Sequence, residues 1–422
     1  MTTRSLHDLT QADDYDPNSM PVDDARRHIR GFLTPVSTVE RVFVRAALGR
    51  VLAEDIVSPM AVPAHDNSAM DGYAVRHTDL APDADATLRV VGTSFAGKPW
   101  LAEVLPGEAV RIFTGAVVPP GCDTIIMQER ARAHDGLVTL GAGARAGQNR
   151  RFAGEDIKAG ATVLRRGQPI RAAELGLIAS LGIGEVSVFR RLRVAFFSTG
   201  DELVSLGGTP GPGQIFDSNR YTIHGMLTAL GCEVLDMGVI RDTPEDVERA
   251  FAAAAAGADV VITSGGVSVG DADYVKQMLD RLGEVLFWKI AMKPGRPLAF
   301  GRIGNAHFFG LPGNPVAVMV TFYQFVREAL LILSGRSAVD PVPTFRATLS
   351  SPVKKAPGRT EFQRGILSRN DAGEWTVRTT GDQGSGILSS MSQANCFVVL
   401  PTAQGNAEPG TLVDVQLFEG VL

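Results

Sequence analysis

The residues best suited to chemistry follow directly on apolar runs. Asp201 and Glu202 come after RVAFFSTG, Asp242 after GVIR, and Asp271 and Asp273 after VITSGGVSVG. Carboxylates delivered by neighbouring strand ends are hard oxygen donors of the kind Mg2+ takes, one or two at a time, with waters or substrate phosphate completing the shell. Asp242 before Thr243-Pro244 and Asp271 before an apolar helix are equally well placed to cap helices, so for those two both roles stand open. Gly265, Gly266 and Gly270 form a glycine loop ahead of a helix. Backbone N–H groups there can approach a phosphate, and a plain turn accounts for the glycines equally well. Lys289, Lys293 and Arg296 in WKIAMKPGRP gather three cations beside a Pro-Gly turn. That suits an oxyanion, with a solvated charged turn as the simpler reading, although Phe287, Trp288 and Ile290 half-bury the strand that carries Lys289. In LPGNP, Pro312 and Pro315 make a rigid turn into a helix that starts at Pro315. The stretch His65 to Arg76, HDNSAMDGYAVR, crowds polar side chains where there is little apolar periodicity, as a site or an interface would; His65 by itself carries no such message. Thr114 in RIFTGA stands at a strand end, free to bond a ligand or a turn.

Something must hold these groups in place. From Arg193 the chain alternates RVAFFSTG, a helical stretch Asn219 to Leu230, CEVLDMGVI, a helix from Pro244, then ADVVITSGG. This βαβ pattern predicts a doubly wound α/β domain over 191–337, with a parallel sheet buried on both faces and ligands outside the strand carboxyl ends. Residues 57–149 read as an inserted β domain, between segments 21–56 and 150–190 whose helical periodicity (Asp23 to Phe32, Ala172 to Leu181) predicts a helical linker domain. Residues 338–422 revert to short β runs with Gly/Pro turns and no convincing helix, and read as a separate β domain. Residues 1–20, rich in Asp, Ser and Thr, read as disordered.

With 422 residues, 45% of them hydrophobic, the chain can fill several cores. A formal net charge of -5 gives no broad basic surface for nucleic acid or anionic lipid, so an anionic ligand needs a local basic pocket. Cys122, Cys232 and Cys396 are too far apart for a CxxC motif and offer no disulfide framework, which fits a reducing cytoplasm. The apolar stretch Pro315 to Leu333 contains Gln324, Arg327 and Glu328 and reads as a packed helix, so no membrane association is expected.

Ten motifs in one order, DNSAMDGYAVR, RIFTGA, GEDI, FSTGDEL, DSN, SGGVSVGDADYVK, FWKIAMKPGRP, GLPGNP, EFQRG and GSGILSSM, make the chain resemble the molybdopterin molybdenumtransferase family, which includes the E domain of gephyrin. The resemblance spans nearly everything after Pro21. It implies a homodimer of four-domain subunits, the carboxyl-terminal domain a β barrel. It further implies Mg2+-dependent insertion of molybdate into adenylylated molybdopterin with release of AMP, the preceding adenylyltransferase and molybdoenzyme-specific chaperones being further possible partners. By the same resemblance Glu202, Asp242 and Asp273 are acidic site residues, Lys289 and Lys293 basic ones, and Asp66, Thr114, Asp156, Arg364 and Ser385 contributors from other domains; Pro312 and Pro315 shape a neighbouring loop. The family often has Glu where Asp271 stands and an aromatic residue where His65 stands. Two alternatives accompany this reading: the adenylyltransferase of the preceding step, which is essentially the α/β domain alone, and a gephyrin-like scaffold.

Overall fold

The computed structural model describes residues 16–265, 279 and 281–418. Gly266, Gly270, Asp271 and Asp273 lie outside the described residues.

The central sheet has six strands in the order Glu233–Ile240, Arg193–Thr199, Val260–Ser264, Ala306–Leu311, Pro297–Ile303, Gly283–Lys289. The first four run parallel, but the last two form antiparallel pairs, so the sheet is mixed where a parallel one was expected. The cause is local: Ile303 pairs with Ala306 across Gly304-Asn305, and Gly304 at φ +56 opens a two-residue hairpin that reverses the chain without a crossover helix.

The inner strands of the sheet are buried on both faces because their central positions are apolar on both sides. Along Arg193–Thr199, Val194 and Phe196 enter one core with Ile223, Met226 and Leu227 of helix Ser218–Ala229. Ala195 and Phe197 enter a second core with Val247, Phe251 and Ala254 of helix Pro244–Gly257. Successive residues of a strand point to opposite sides, so this alternation fixes the two helices on opposite faces.

The first core recruits a distant piece of chain. Helix Val22–Phe32 buries Val22, Ala25, Ile29 and Phe32, a stripe at helical spacing, against Trp288, Phe300 and Phe325; the Phe32 and Phe300 rings meet edge-on at 5.4 Å. Ahead of it, the Met20 N–H donates to Lys289 O (3.1 Å) and the Lys289 N–H to Pro17 O (2.7 Å). Residues 16–20, expected to be disordered, are therefore ordered by pairing with a sheet strand, and helix Val22–Phe32 belongs with the α/β core, not with a linker core. What connects that domain to the insertion is also less helical than its periodicity implied. Its core, around Ala47, Leu52, Ile170, Ile178 and Val188, is built by the pairs Val39–Phe43 with Glu185–Phe189 and Ile56–Val57 with Thr162–Leu164, plus the short 3-10 helix Val44–Ala47 and the α-helix Ala172–Ser180.

Within the insertion six strands follow the order Thr124–Met127, Gly72–Val75, Glu108–Ile112, Ala86–Ser94, Leu137–Leu140, Ala131–His134. The carboxyl-terminal domain is a closed five-stranded barrel, running Thr360–Arg369, Trp375–Thr379, Thr344–Leu349, Leu412–Leu417, Cys396–Leu400 and back to the first. It holds the helix Leu388–Gln393, which the short β runs had not announced. The two-residue strand Met292–Lys293 of the α/β domain pairs in parallel with Thr360 and Glu361, fastening that domain to the barrel. Pro315–Leu333, apolar enough in length and composition to cross a membrane (mean hydropathy 1.7), is 78% buried inside the fold.

Candidate active site at the strand ends

Chain order reverses at strand Arg193–Thr199: the next strand lies on one side of it and Val260–Ser264 on the other, which opens a crevice at their carboxyl ends. The register sets Thr199 beside Ile240, Ser198 beside Ser264, and Ser264 beside Leu311, so four strands end at one level. Gly265 has φ +85, and a Cβ there would come within 2.6 Å of Thr199 O; only glycine lets the strand ends approach this closely.

Polar side chains knit this ledge together. Asp217 caps helix Ser218–Ala229, its Oδ1 accepting from the Arg220 N–H at 3.1 Å. Asn219 Nδ2 donates to Ser264 Oγ (2.8 Å) and to Gly313 O (2.7 Å), joining the end of one strand to the LPGNP turn. Around them Ser198 Oγ, Thr199 Oγ1, Asp217 Oδ2 and Asn219 Oδ1 are buried without a partner among the described residues. Buried polar atoms are normally satisfied, so four orphans at one sheet edge mark a place built to meet a polar ligand. Asp217 and Asn219 were not singled out as site residues; an Asx residue before a helix looks like a cap, which Asp217 is, and its second oxygen leaves no trace in the sequence.

Beside the ledge lies a cavity of about 470 Å³, lined by Gly265, Lys293 to Pro297, Pro312 to Asn314, Ala317 and Gln383 to Ser385. It brings together the predicted Gly265, Lys293, Arg296, Pro312 and Ser385 from four stretches of chain. Pro315 begins helix Pro315–Thr321 next to it, and the Val316 N–H donates to Ser385 O (3.0 Å), which draws the barrel loop over the helix start. Arg364 serves differently from the expected substrate contact. Its exposure is 0%, with Nε donating to Ser390 Oγ (2.9 Å), Nη1 to Gln383 O (3.2 Å) and Nη2 to Gly384 O (2.9 Å). It shapes the cavity wall from behind, a role indistinguishable in sequence from anion binding because both need a forked donor.

The acidic residues are less gathered. Asp201, Glu202 and Asp242 are exposed on adjacent strand-end loops. Among the described residues no group of three His, Cys, Asp or Glu side chains stands close enough to hold a metal ion, and the third expected carboxylate, Asp273, is outside them. Lys289, half-buried at its strand end, does not line the cavity. Asp66, Thr114 and Asp156 are likewise absent from its lining. Asp66 takes Arg150 Nε at 2.9 Å and the Ala153 N–H at 2.7 Å. Burial works against its ionisation, yet those two contacts hold its carboxyl below the usual carboxylate range. Thr114 donates through both N–H and Oγ1 to Asp71 Oδ1 (2.8 Å each), which lowers the pKa of Asp71, and Asp156 is exposed. All three cysteines have thiol pKa values pushed up to about 12, chiefly by burial, so none of them is a ready thiolate.

Residues 20–182 match the family described as MoeA N-terminal region (domain I and II), 195–331 a probable molybdopterin binding domain, and 346–418 the MoeA C-terminal region (domain IV). A molybdopterin molybdenumtransferase of Haemophilus influenzae is 46% identical over 404 residues, covering 96% of this chain and all of that protein. The chain belongs to the molybdopterin molybdenumtransferase family. A second molybdopterin molybdenumtransferase, from Nostoc, is 38% identical over 86% of the chain and 85% of its own length. The crystal structure of a molybdopterin biosynthesis moeA protein from Pyrococcus horikoshii superposes with a TM-score of 0.83 at 29% identity, covering 95% of this chain and 100% of its own. Membership makes this chain a transferase of molybdenum cofactor biosynthesis.

Proposed function

We propose that the chain inserts molybdate into adenylylated molybdopterin with release of AMP. The observation that carries this reading is the junction of two chemically distinct surfaces: a cavity with Lys293 and Arg296 in its wall, suited to oxyanions, and a strand-end ledge bearing Glu202 and Asp242. Lysine supplies a point charge and arginine a fork, so together they can hold phosphate or molybdate oxygens while backbone groups of the Gly265 turn border the same space. The work is positioning and charge neutralisation, which suits a transfer in which substrate sulfurs take the metal and a nucleotide leaves.

Mg2+ fits the donor set, since the ledge offers exposed carboxylates and the cavity's described lining contains no Cys or His. Glu202 and Asp242, with Asp273, would hold it, and when bound it would neutralise pyrophosphate charge. Asp66, Thr114 and Asp156 are read as completing the site from the second subunit of a homodimer, because none of them lines the cavity of its own chain. A cytoplasmic setting, the preceding adenylyltransferase as donor and molybdoenzyme-specific chaperones as recipients accompany this reading. The test is direct: purified protein with adenylylated molybdopterin, Mg2+ and molybdate should release AMP and yield active cofactor. No molybdate-dependent release with any divalent cation would refute the proposal.

A further inference from the structure

We propose that Glu361, a carboxylate of the barrel outside the cavity, is the positioning residue for Lys293. This rests on the transfer reading for its functional arm and on geometry alone for its premise. Lys293 and Glu361 are register partners in the parallel pairing that fastens the α/β domain to the barrel. Lys293 Nζ lies 3.5 Å from Glu361 Oε1; the lysine side chain is 48% exposed and the glutamate 5%. The other oxygen, Oε2, accepts from Gln363 Nε2 at 2.9 Å, and the same Nε2 lies 3.2 Å from Lys354 O. Glu361 is thus fixed from behind while its first oxygen faces the cavity lysine.

A second cation makes the arrangement tolerable. Lys355, 5% exposed, donates from Nζ to Gln404 O at 2.8 Å and reaches Ala356 O and Thr402 O. Burial pushes its pKa down, and Glu361 pulls it back up. Lys355 is therefore held by carbonyls and lends Glu361 a counter-charge without occupying Oε1. A buried carboxylate is costly unless paired, so Glu361 holds the four-carbon arm of Lys293 against the cavity wall. At 3.5 Å and half exposure the attraction restrains the ammonium without locking it. A dianionic oxyanion entering the cavity can outcompete the single negative charge behind the lysine.

The test uses the full-length protein. Glu361→Gln keeps the shape and the Gln363 contact but removes the charge. It should raise the molybdate KM by about tenfold, with kcat changing less than about threefold, as expected when a pre-ordered ground-state contact is lost. In a Lys293→Ala background the same substitution should add nothing. Glu361→Asp should fall between the two. A second readout needs no turnover: acetylation of Lys293 by an N-hydroxysuccinimide ester, followed by peptide mass spectrometry, should run several-fold faster in Glu361→Gln, because the amine has lost its carboxylate partner. If Glu361→Gln does not fold, Gln363→Met, which releases Oε2 without touching the charge, should shift both readouts in the same direction by a smaller factor. Unchanged acetylation in a folded variant overturns the proposal, as does a KM shift that persists without Lys293. Absence of AMP release from the wild type would refute the transfer reading alone, since the acetylation arm still decides the role of Glu361.

Discussion

Replacing Arg364 by Lys isolates what a buried guanidinium does for the cavity. The native side chain makes three bonds at 2.9–3.2 Å, to Ser390 Oγ, Gln383 O and Gly384 O, and a longer one of 3.5 Å to Asp382 O. A lysine ammonium reaches one of these groups and keeps the charge, so about two charge-assisted bonds are lost, each worth about 1.5 kcal/mol net, or about 3 kcal/mol for the loop. The loss is local, because the bonds converge on residues 382–384 and on the helix behind them. Native-state hydrogen exchange is the appropriate measurement, since a multidomain chain has no single unfolding free energy. Protection across residues 380–390 should fall by roughly a hundredfold, a 3 kcal/mol change at about 1.4 kcal/mol per decade, while the insertion is unaffected. Activity should fall with it, because Gln383 to Ser385 line the cavity. Undiminished protection with lost activity would refute the scaffold role and return Arg364 to the substrate.

Four further outcomes are expected. Coexpressed Asp66→Ala and Glu202→Ala subunits, isolated as heterodimers with two tags, should recover up to about half of wild-type AMP release, whereas each parent is inactive; an inactive heterodimer would place Asp66 in cis or outside the site. Lys293→Ala should raise the molybdate KM by about tenfold and Lys289→Ala by much less, because only the former lines the cavity; titration of rate against molybdate decides. Burial pushes His307 down to about 4 from 6.5, with Arg302 adding to the shift, so the folded state resists a proton that the unfolded chain accepts. Its contribution, up to about 3 kcal/mol, is intact above about pH 6.5 and lost as pH falls toward about 4; the opening free energy of strand Ala306–Leu311, read by hydrogen exchange, should depend less on pH in His307→Leu over that window, and an equal slope would exclude His307 as the cause. Iodoacetamide at pH 8 should leave all three cysteines unmodified in the native protein and alkylate them in denaturant, read by mass spectrometry.

The strands of the central sheet were legible because burial on both faces writes an unbroken apolar run, as in Arg193–Thr199, and the ledge was legible because polar residues end each run. The hairpin at Gly304-Asn305 was missed, although a Gly-Asn pair between two apolar runs carried the signal. Helical periodicity located Val22–Phe32 without saying which core its stripe would enter, since a stripe specifies burial and not a partner. At the site, charge type was readable and direction was not. Lys293 faces the cavity and Arg364 faces backbone carbonyls, a distinction that arises only after the barrel closes around them.

The partnership of helix Val22–Phe32 with Trp288 and Phe300 also sets a schedule. The helix leaves the ribosome well before these partners, and its apolar stripe meets them only after some 250 further residues have been made. At about 5–20 residues per second that interval is roughly 10–50 s, during which Ile29 and Phe32 have nothing native to cover them. Synthesis rate and chaperone supply, more than equilibrium stability, should therefore govern how much of this protein reaches its native form in a cell.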